Sequence, residues 1–151
     1  MMQTESLMDR LEIDQLCVVV RDIEKAINQL GALFDVGPFR RLEHDHPSVF
    51  HGKEMPLRFK AAFVQVGPIE LEFIEPGEGE STYTEFLRQK GEGVHHLRIT
   101  VSDVESELSK FRKRGIEPLQ SGESPRVKFA YLDTEGVMGV ILELLQRKQG
   151  D

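Results

Sequence analysis

Four polar side chains stand where the surrounding sequence is strongly apolar. Gln15 lies in Ile13-Asp14-Gln15-Leu16-Cys17-Val18-Val19-Val20 and Glu72 in Ile69-Glu70-Leu71-Glu72-Phe73-Ile74-Glu75. His96 lies in Val94-His95-His96-Leu97-Arg98-Ile99-Thr100-Val101 and Glu143 in Val140-Ile141-Leu142-Glu143-Leu144-Leu145-Gln146. Successive residues of a strand point to opposite faces. If Leu97, Ile99 and Val101 pack to one side, His96, Arg98 and Thr100 face the other. By the same alternation Gln15 opposes Leu16, Val18 and Val20, Glu72 opposes Leu71 and Phe73, and Glu143 opposes Leu142 and Leu144. A carboxylate held among bulky apolar residues carries a large desolvation cost unless it is paired or bound to a cation. Two such carboxylates facing each other repel or share a proton. One divalent cation removes both difficulties. An imidazole, two carboxylates and an amide oxygen suit zinc, nickel, cobalt, iron or manganese. The alternative is a polar cavity without metal, with Arg98 neutralising one glutamate.

The elements that must position these residues come twice. Ile13 to Glu24 aligns without a gap on Val94 to Glu105, and Leu71 to Glu75 aligns on Leu142 to Gln146. Internal repetition of this kind marks a duplicated unit. Each copy opens with a β-branched strand, then an Asp, then a helical pattern. Ile23, Ala26, Ile27, Leu30, Leu33 and Phe34 make one face of the first helix, capped by Asp22. Val104, Leu108 and Phe111 make the second, with Ser102 and Glu105 spaced as a capping box and Gly115 as the stop. Strands are expected over Phe59–Val66 and Ile69–Glu75, turned by Gly67-Pro68, and over Lys128–Asp133 and Val140–Gln146. Between the copies, Ser81 to Lys90 reads as a short helix with Tyr83, Phe86 and Leu87 on one face and Gly91 as the stop. The expected architecture is α+β: two tandem βαβββ modules forming a curved mixed sheet around a central cavity. The whole chain is expected to be a single domain, with module one at about residues 11–76, a linker at 77–93 and module two at about 94–147. A half this size exposes too much apolar surface to stand alone. The repeat pairs Gln15 with His96 and Glu72 with Glu143.

The 151 residues carry a formal net charge of −7, which argues against a phosphate-backbone partner. No apolar run reaches the length of a membrane span. Met1 to Arg10 lacks the apolar stretch of a signal peptide and reads as a polar lead-in. Cys17 is the single cysteine. It fits a reducing cytoplasm and reads as a small buried filler rather than a catalytic thiol. Glu43-His44-Asp45-His46 resembles a metal motif, but Pro47 and Pro56 place it in an expected surface or lid loop over 43–56. His51 in the same loop has no evident partner. His95 is expected to face away from the metal and to be structural. Gly77-Glu78-Gly79-Glu80 and Gly91-Glu92-Gly93 are acidic turns, not phosphate cradles. Lys110, Arg112, Lys113 and Arg114 suit a helix C-terminus, with docking of an acidic coenzyme as the sharper alternative.

Several stretches together resemble the vicinal oxygen chelate superfamily, which includes glyoxalase I, methylmalonyl-CoA epimerase, extradiol dioxygenases and the fosfomycin and bleomycin resistance proteins. They are Val19-Val20-Arg21-Asp22-Ile23, Gly37-Pro38-Phe39, Ile69 to Pro76, Gly91-Glu92-Gly93-Val94-His95-His96-Leu97, and Phe129 to Thr134 running into Gly139 to Leu144. The glyoxalase-like and epimerase-like branch is the nearest, and the resemblance covers about Ile13 to Gln146. It implies one divalent metal (zinc, nickel, cobalt or manganese) on Gln15, Glu72, His96 and Glu143. It also implies a lyase or isomerase that removes a proton next to a carbonyl, with Glu143 as base and Glu72 as second choice. The implied partners are a hemithioacetal or thioester substrate and a second copy of the chain, with neither nucleic acid nor membrane. Gln15 stands where the epimerases usually have histidine, which disfavours extradiol dioxygenase chemistry because that needs two histidines and one carboxylate. Arg58 to Ala62 contains no acid where the epimerases place a separate glutamate base. A non-catalytic small-molecule or antibiotic-binding protein of the same fold is the alternative.

Overall fold

The computed structural model describes residues 12–149. The polar lead-in expected over Met1 to Arg10 lies outside that range. Eight strands and four helices follow in the order β1 (Ile13–Val19), α1 (Ile23–Phe34), β2 (Arg40–Phe50), β3 (Lys53–Val66), β4 (Ile69–Pro76), α2 (Thr82–Lys90), β5 (Gly93–Thr100), α3 (Val104–Lys113), β6 (Pro118–Glu123), β7 (Val127–Leu132), α4 (Glu135–Met138) and β8 (Ile141–Arg147). The first half supplies β1, α1 and β2–β4. The second supplies β5, α3 and β6–β8, which gives the α+β arrangement of two βαβββ units.

The strands close in the order β1-β4-β3-β2-β6-β7-β8-β5. Each unit pairs its first and last strands in parallel, Cys17 opposite Glu72 and Arg98 opposite Glu143. Those two pairs are equivalent under the sequence repeat. Antiparallel β1 and β5 form the seam between the units, with Cys17 opposite His96 and Gln15 opposite Arg98. Exchanging the two units turns one of these pairs into the other, so the seam carries a pseudo-twofold axis. On the far side, β2 meets β6 over Ser48–Phe50 and Gln120–Gly122 and closes the curved sheet into a barrel.

Three apolar clusters account for the packing. Inside the barrel lie Cys17, Val19, Leu57, Ala61, Phe63, Ile74, Phe129, Tyr131, Ile141 and Leu145, with Tyr83 and Phe86 contributed by α2. Outside, α1 docks Ile23 and Ile27 on Val20, Ala62 and Phe73. Symmetrically, α3 docks Val104 and Leu108 on Ile99, Leu132, Leu142 and Leu144. The period-two alternation read from the sequence is therefore the division between the interior and the helix layer.

Several local expectations change. The segment 43–56 is not a lid loop. It is the hairpin of β2 and β3, paired from Arg40–Phe63 to Phe50–Lys53 and turned at His51 and Gly52, both at positive φ. Pro47 stands opposite Pro56, so the two residues that lack a backbone donor face each other across the ladder. His51 has a partner, Glu85, at 3.0 Å. Strand β6 carries a proline, a glycine and polar residues, and so lacks the alternation that marks a strand. The N-cap of α3 is Asp103, which accepts from the Ser106 amide, rather than Ser102. Leu33 and Phe34 are 76% and 67% exposed, because the last turn of α1 runs past the layer that buries Ile23 and Ile27. Asp22 caps α1, and Ser81 opens α2 with a full capping box that ends at Gly91.

Candidate functional site

The barrel brings the four predicted side chains to one point. His96 is fully buried, and its Nε2 lies 3.3 Å from Gln15 Oε1, 3.5 Å from Glu72 Oε1 and 3.3 Å from Glu143 Oε1. Two donors ~2.1 Å from a zinc ion at the tetrahedral angle lie ~3.4 Å apart. Each of the three oxygens is thus at the spacing from His96 Nε2 that two ligands of one small divalent cation have, while the His, Cys, Asp and Glu side chains that lie within 4.8 Å of one another are Cys17, Glu72 and His96, without Glu143. Glu72 and Glu143 are 7% and 5% exposed, so neither can rely on bulk water for solvation.

The supporting contacts orient these donors. Gln15 Nε2 donates to Glu70 Oε1 at 2.8 Å, which occupies the amide's donor end and turns its oxygen toward His96. Arg98 does not neutralise either inward glutamate by direct contact. Its guanidinium pairs with Asp14 at 2.7 Å and with Glu70 at 3.7 Å, helped by the register shift between Ile13 and Gln15 that admits Asp14 to the seam. Burial raises the Glu72 carboxyl above its usual range, with His96 pulling the other way. Burial works to lower the His96 imidazole, but the facing Cys17 and Glu143 outweigh it and hold the ring well above its ordinary value. Of these two, Glu143 is the effective partner, because burial pushes the Cys17 thiol up to about 12 and keeps it uncharged.

Cys17, read from the sequence as a small buried filler, is buried and also borders the site. Its Sγ, a Glu72 oxygen and a His96 nitrogen lie within 4.8 Å of one another. The signal was present, since Cys17 follows Gln15 by two residues on the same strand and must share its face. His95 is buried among Tyr83, Phe86 and Tyr131, with its ring against that of His96. Tyr131 packs 5.0 Å from the His96 ring and hydrogen-bonds through its hydroxyl to Tyr83. A cleft of about 580 Å³ lined by Pro47, Val49, Pro56, Val104, Ser121 and Lys128 among others touches none of the four residues, so it is a separate feature of the surface.

Strand β2 buries two polar residues, Ser48, which is hydrogen-bonded to Met55 and Gln120, and His44. His44, opposite Phe59, is stacked on that ring at 4.6 Å and meets Phe129 edge-on at 6.0 Å. Its Nε2 is buried without a hydrogen-bond partner among the described residues. Burial, reinforced by His46, lowers its pKa from 6.5 to about 4. The unfolded chain therefore takes up this proton first. The protein should hold full stability above pH 6.5 and lose on the order of 2–3 kcal/mol from this residue as the pH falls toward 4. Urea unfolding of wild type and H44F across that range measures it. An unchanged acid limb in H44F would reject His44 as its source.

Comparison with known proteins bears on the family and the fold. Residues 14–131 match the family described as the glyoxalase/bleomycin resistance protein/dioxygenase superfamily. The chain is 27% identical over 96 residues to the uncharacterized protein YqjC of Bacillus subtilis (strain 168), covering 60% of this chain and 67% of that protein. The hypothetical protein BH1468 of Bacillus halodurans superposes with a TM-score of 0.68 at 21% identity, covering 94% and 98% of the two chains. A single-residue variant of Streptomyces coelicolor methylmalonyl-CoA epimerase, in complex with 2-nitronate-propionyl-CoA, superposes at 0.66 with 21% identity, over 89% and 93%. The epimerase of Mycobacterium tuberculosis gives 0.65 at 17% identity, over 90% and 87%. At these identities the structures speak for the fold. The family match runs from β1 into β7, ending before β8, and with it the chain belongs to the glyoxalase/bleomycin resistance/dioxygenase superfamily.

Proposed function

We propose that this protein is a metal-dependent lyase or isomerase that moves a proton next to a carbonyl, of the glyoxalase-like or methylmalonyl-CoA epimerase-like kind. The observation that supports this most is the convergence of Gln15, Glu72 and Glu143 oxygens on His96 Nε2 at 3.3–3.5 Å. Those four residues would hold one divalent ion: zinc, nickel, cobalt or manganese. When bound, the ion supplies Lewis-acid stabilisation of negative charge on substrate oxygens beside the reacting carbon. Gln15, anchored by Glu70, and His96 keep the site in place throughout. Glu143, one of the residues that would hold the ion, would also take the proton from the carbon next to the carbonyl and return it. Glu72 is its pseudo-symmetric counterpart and the second candidate for that role. The low exposure of both carboxylates keeps water from competing for the proton.

The substrate we infer is a hemithioacetal or a 2-substituted acyl-CoA, in keeping with the acyl-CoA analogue bound to the Streptomyces epimerase. We place the protein in the cytoplasm as a homodimer with a small-molecule substrate. No helix among the described residues is long and apolar enough to cross a membrane. After loading with zinc, cobalt, nickel or manganese, metal analysis should return one equivalent per chain. Methylglyoxal with glutathione, and methylmalonyl-CoA in deuterated water, separate the two reactions: product forms in one, or solvent deuterium enters the substrate in the other. A second reading, a non-catalytic binding protein of the same fold, is favoured by β3, where Arg58 to Ala62 offer the interior Phe59 and Ala61 but no acid. Tight binding of an aromatic drug without turnover of either substrate would select it.

A further inference from the structure

His95 and His96 are joined through the same ring atom. His95 Nδ1 lies 2.8 Å from His96 Nδ1, and His95 Nε2 lies 3.2 Å from Thr82 Oγ1. An N–H···N bond needs one protonated and one bare nitrogen, so a single proton sits between the rings. Two arrangements satisfy that. If His95 donates, a neutral His96 keeps its remaining proton on Nε2, directed at Gln15, Glu72 and Glu143, and has no lone pair for a cation. If His96 donates, its Nε2 can present a lone pair to the three oxygens. His95 Nε2 then carries a proton and donates it to the Thr82 hydroxyl. A doubly protonated His96, facing its two carboxylates before a cation arrives, also donates from Nδ1. The ring of His95 is fixed for this task. It is 1% exposed and held by Tyr83 at 4.9 Å, Phe86 at 5.3 Å and Tyr131 at 5.5 Å between centroids. Thr82 is the first residue of α2, and its own amide donates to Gln120 Oε1 at 3.0 Å, which ties the relay to β6.

We propose that His95 is a positioning residue: anchored by Thr82, it accepts the Nδ1 proton of His96 and so fixes the tautomer whose Nε2 can bind a metal. This inference rests on the metal reading above and adds a residue that touches neither metal nor substrate. A partner on the second ring nitrogen sets both the orientation and the basicity of a ligating histidine, and its loss weakens metal binding about 10–100-fold.

The experiment measures zinc affinity by competition with a chromophoric chelator, in wild type, H95F and H95Q, with thermal unfolding of each. H95F keeps an aromatic ring against Tyr83, Phe86 and Tyr131 but has no acceptor. Its zinc affinity should fall about 10–100-fold. H95Q, with an amide oxygen in reach, should recover part of the loss. Nitrogen-15 spectra of the wild-type histidine rings provide a measurement that needs no variant to fold. They should show His96 Nδ1 protonated and His95 Nδ1 bare. Wild-type affinity in H95F, or a proton on His95 Nδ1, overturns the assignment. Wild type that binds neither zinc nor cobalt overturns the metal reading, and this inference with it, which is a different result from unchanged affinity in H95F.

Discussion

Glu143→Gln is expected to cost the protein nearly all of its activity while leaving its fold intact. The substitution keeps the shape and an oxygen near His96 but removes the carboxylate proposed to take up a proton. General-base catalysis contributes about 10²–10⁴ in rate, and a ligand change at the same atom adds to that loss. The turnover rate should therefore drop by roughly three orders of magnitude at saturating metal. Metal affinity should weaken less, because an amide oxygen remains able to ligate, as Gln15 would in the same set. The fold should hold because Glu143 is flanked by Leu142 and Leu144, which bury their side chains against α3 independently of the site. Glu72→Gln provides the paired comparison. If Glu143 is the base, Glu72→Gln lowers metal affinity more than it lowers the rate at saturating metal. Proton exchange that survives in Glu143→Gln and vanishes in Glu72→Gln would transfer the role to Glu72. Exchange surviving in both would remove the two carboxylates from proton transfer altogether.

His96→Ala should have the largest effect on binding and stability together. The ring is fully buried, with Gln15, Glu72 and Glu143 around its Nε2. Removing it leaves two buried carboxylates facing each other and opens a cavity beside Cys17 and Tyr131. Breaking a buried ion pair by deleting one partner costs about 3–5 kcal/mol, because the remaining charge is left uncompensated. Stoichiometric zinc should disappear, since the only imidazole of the four is gone. Urea unfolding and metal analysis read the two effects separately. His96→Gln keeps most of the volume and provides a folded comparison if the alanine variant is too unstable to purify. One equivalent of zinc held at wild-type affinity by His96→Gln would show that the ion, if bound, lies elsewhere.

The duplicated pattern was readable from the chain because it rests on local rules. Strand alternation in Leu97, Ile99 and Val101, and in Leu142 and Leu144, reports which side chains oppose the helix layer, and that assigns His96 and Glu143 to the interior. The caps at Asp22 and Ser81 and the stop at Gly91 are equally local. Strand β2 was hidden for a physical reason. Its residues Arg40 to Phe50 are mostly charged or polar, and they join the sheet because β3 and β6 satisfy their backbone groups, not because they bury an apolar face. His44, Ser48 and Phe50 are the buried residues on that strand, and His44 is the one that lies among aromatic rings. Its burial follows from pairing with Phe59, which no local pattern around Glu43-His44-Asp45-His46 conveys.

By itself, then, the sequence determined the repeat, the three longer helices α1–α3 and which four polar side chains share a face, because side-chain period and capping depend on near neighbours in the chain; the single turn of α4 was not foreseen. Only the tertiary structure decided that those four meet at one nitrogen, through the β1–β5 seam that sets Cys17 opposite His96. It also decided that the amide of Gln15 points its oxygen inward, because Glu70 takes the other end. The Nδ1 contact between His95 and His96 and the closure of β2 on β6 belong to the same class. Each is a register or an orientation fixed by partners as far as 86 residues away, as Thr100 is from Asp14, and a register between distant strands is set by the fit of the whole sheet rather than by any segment within it.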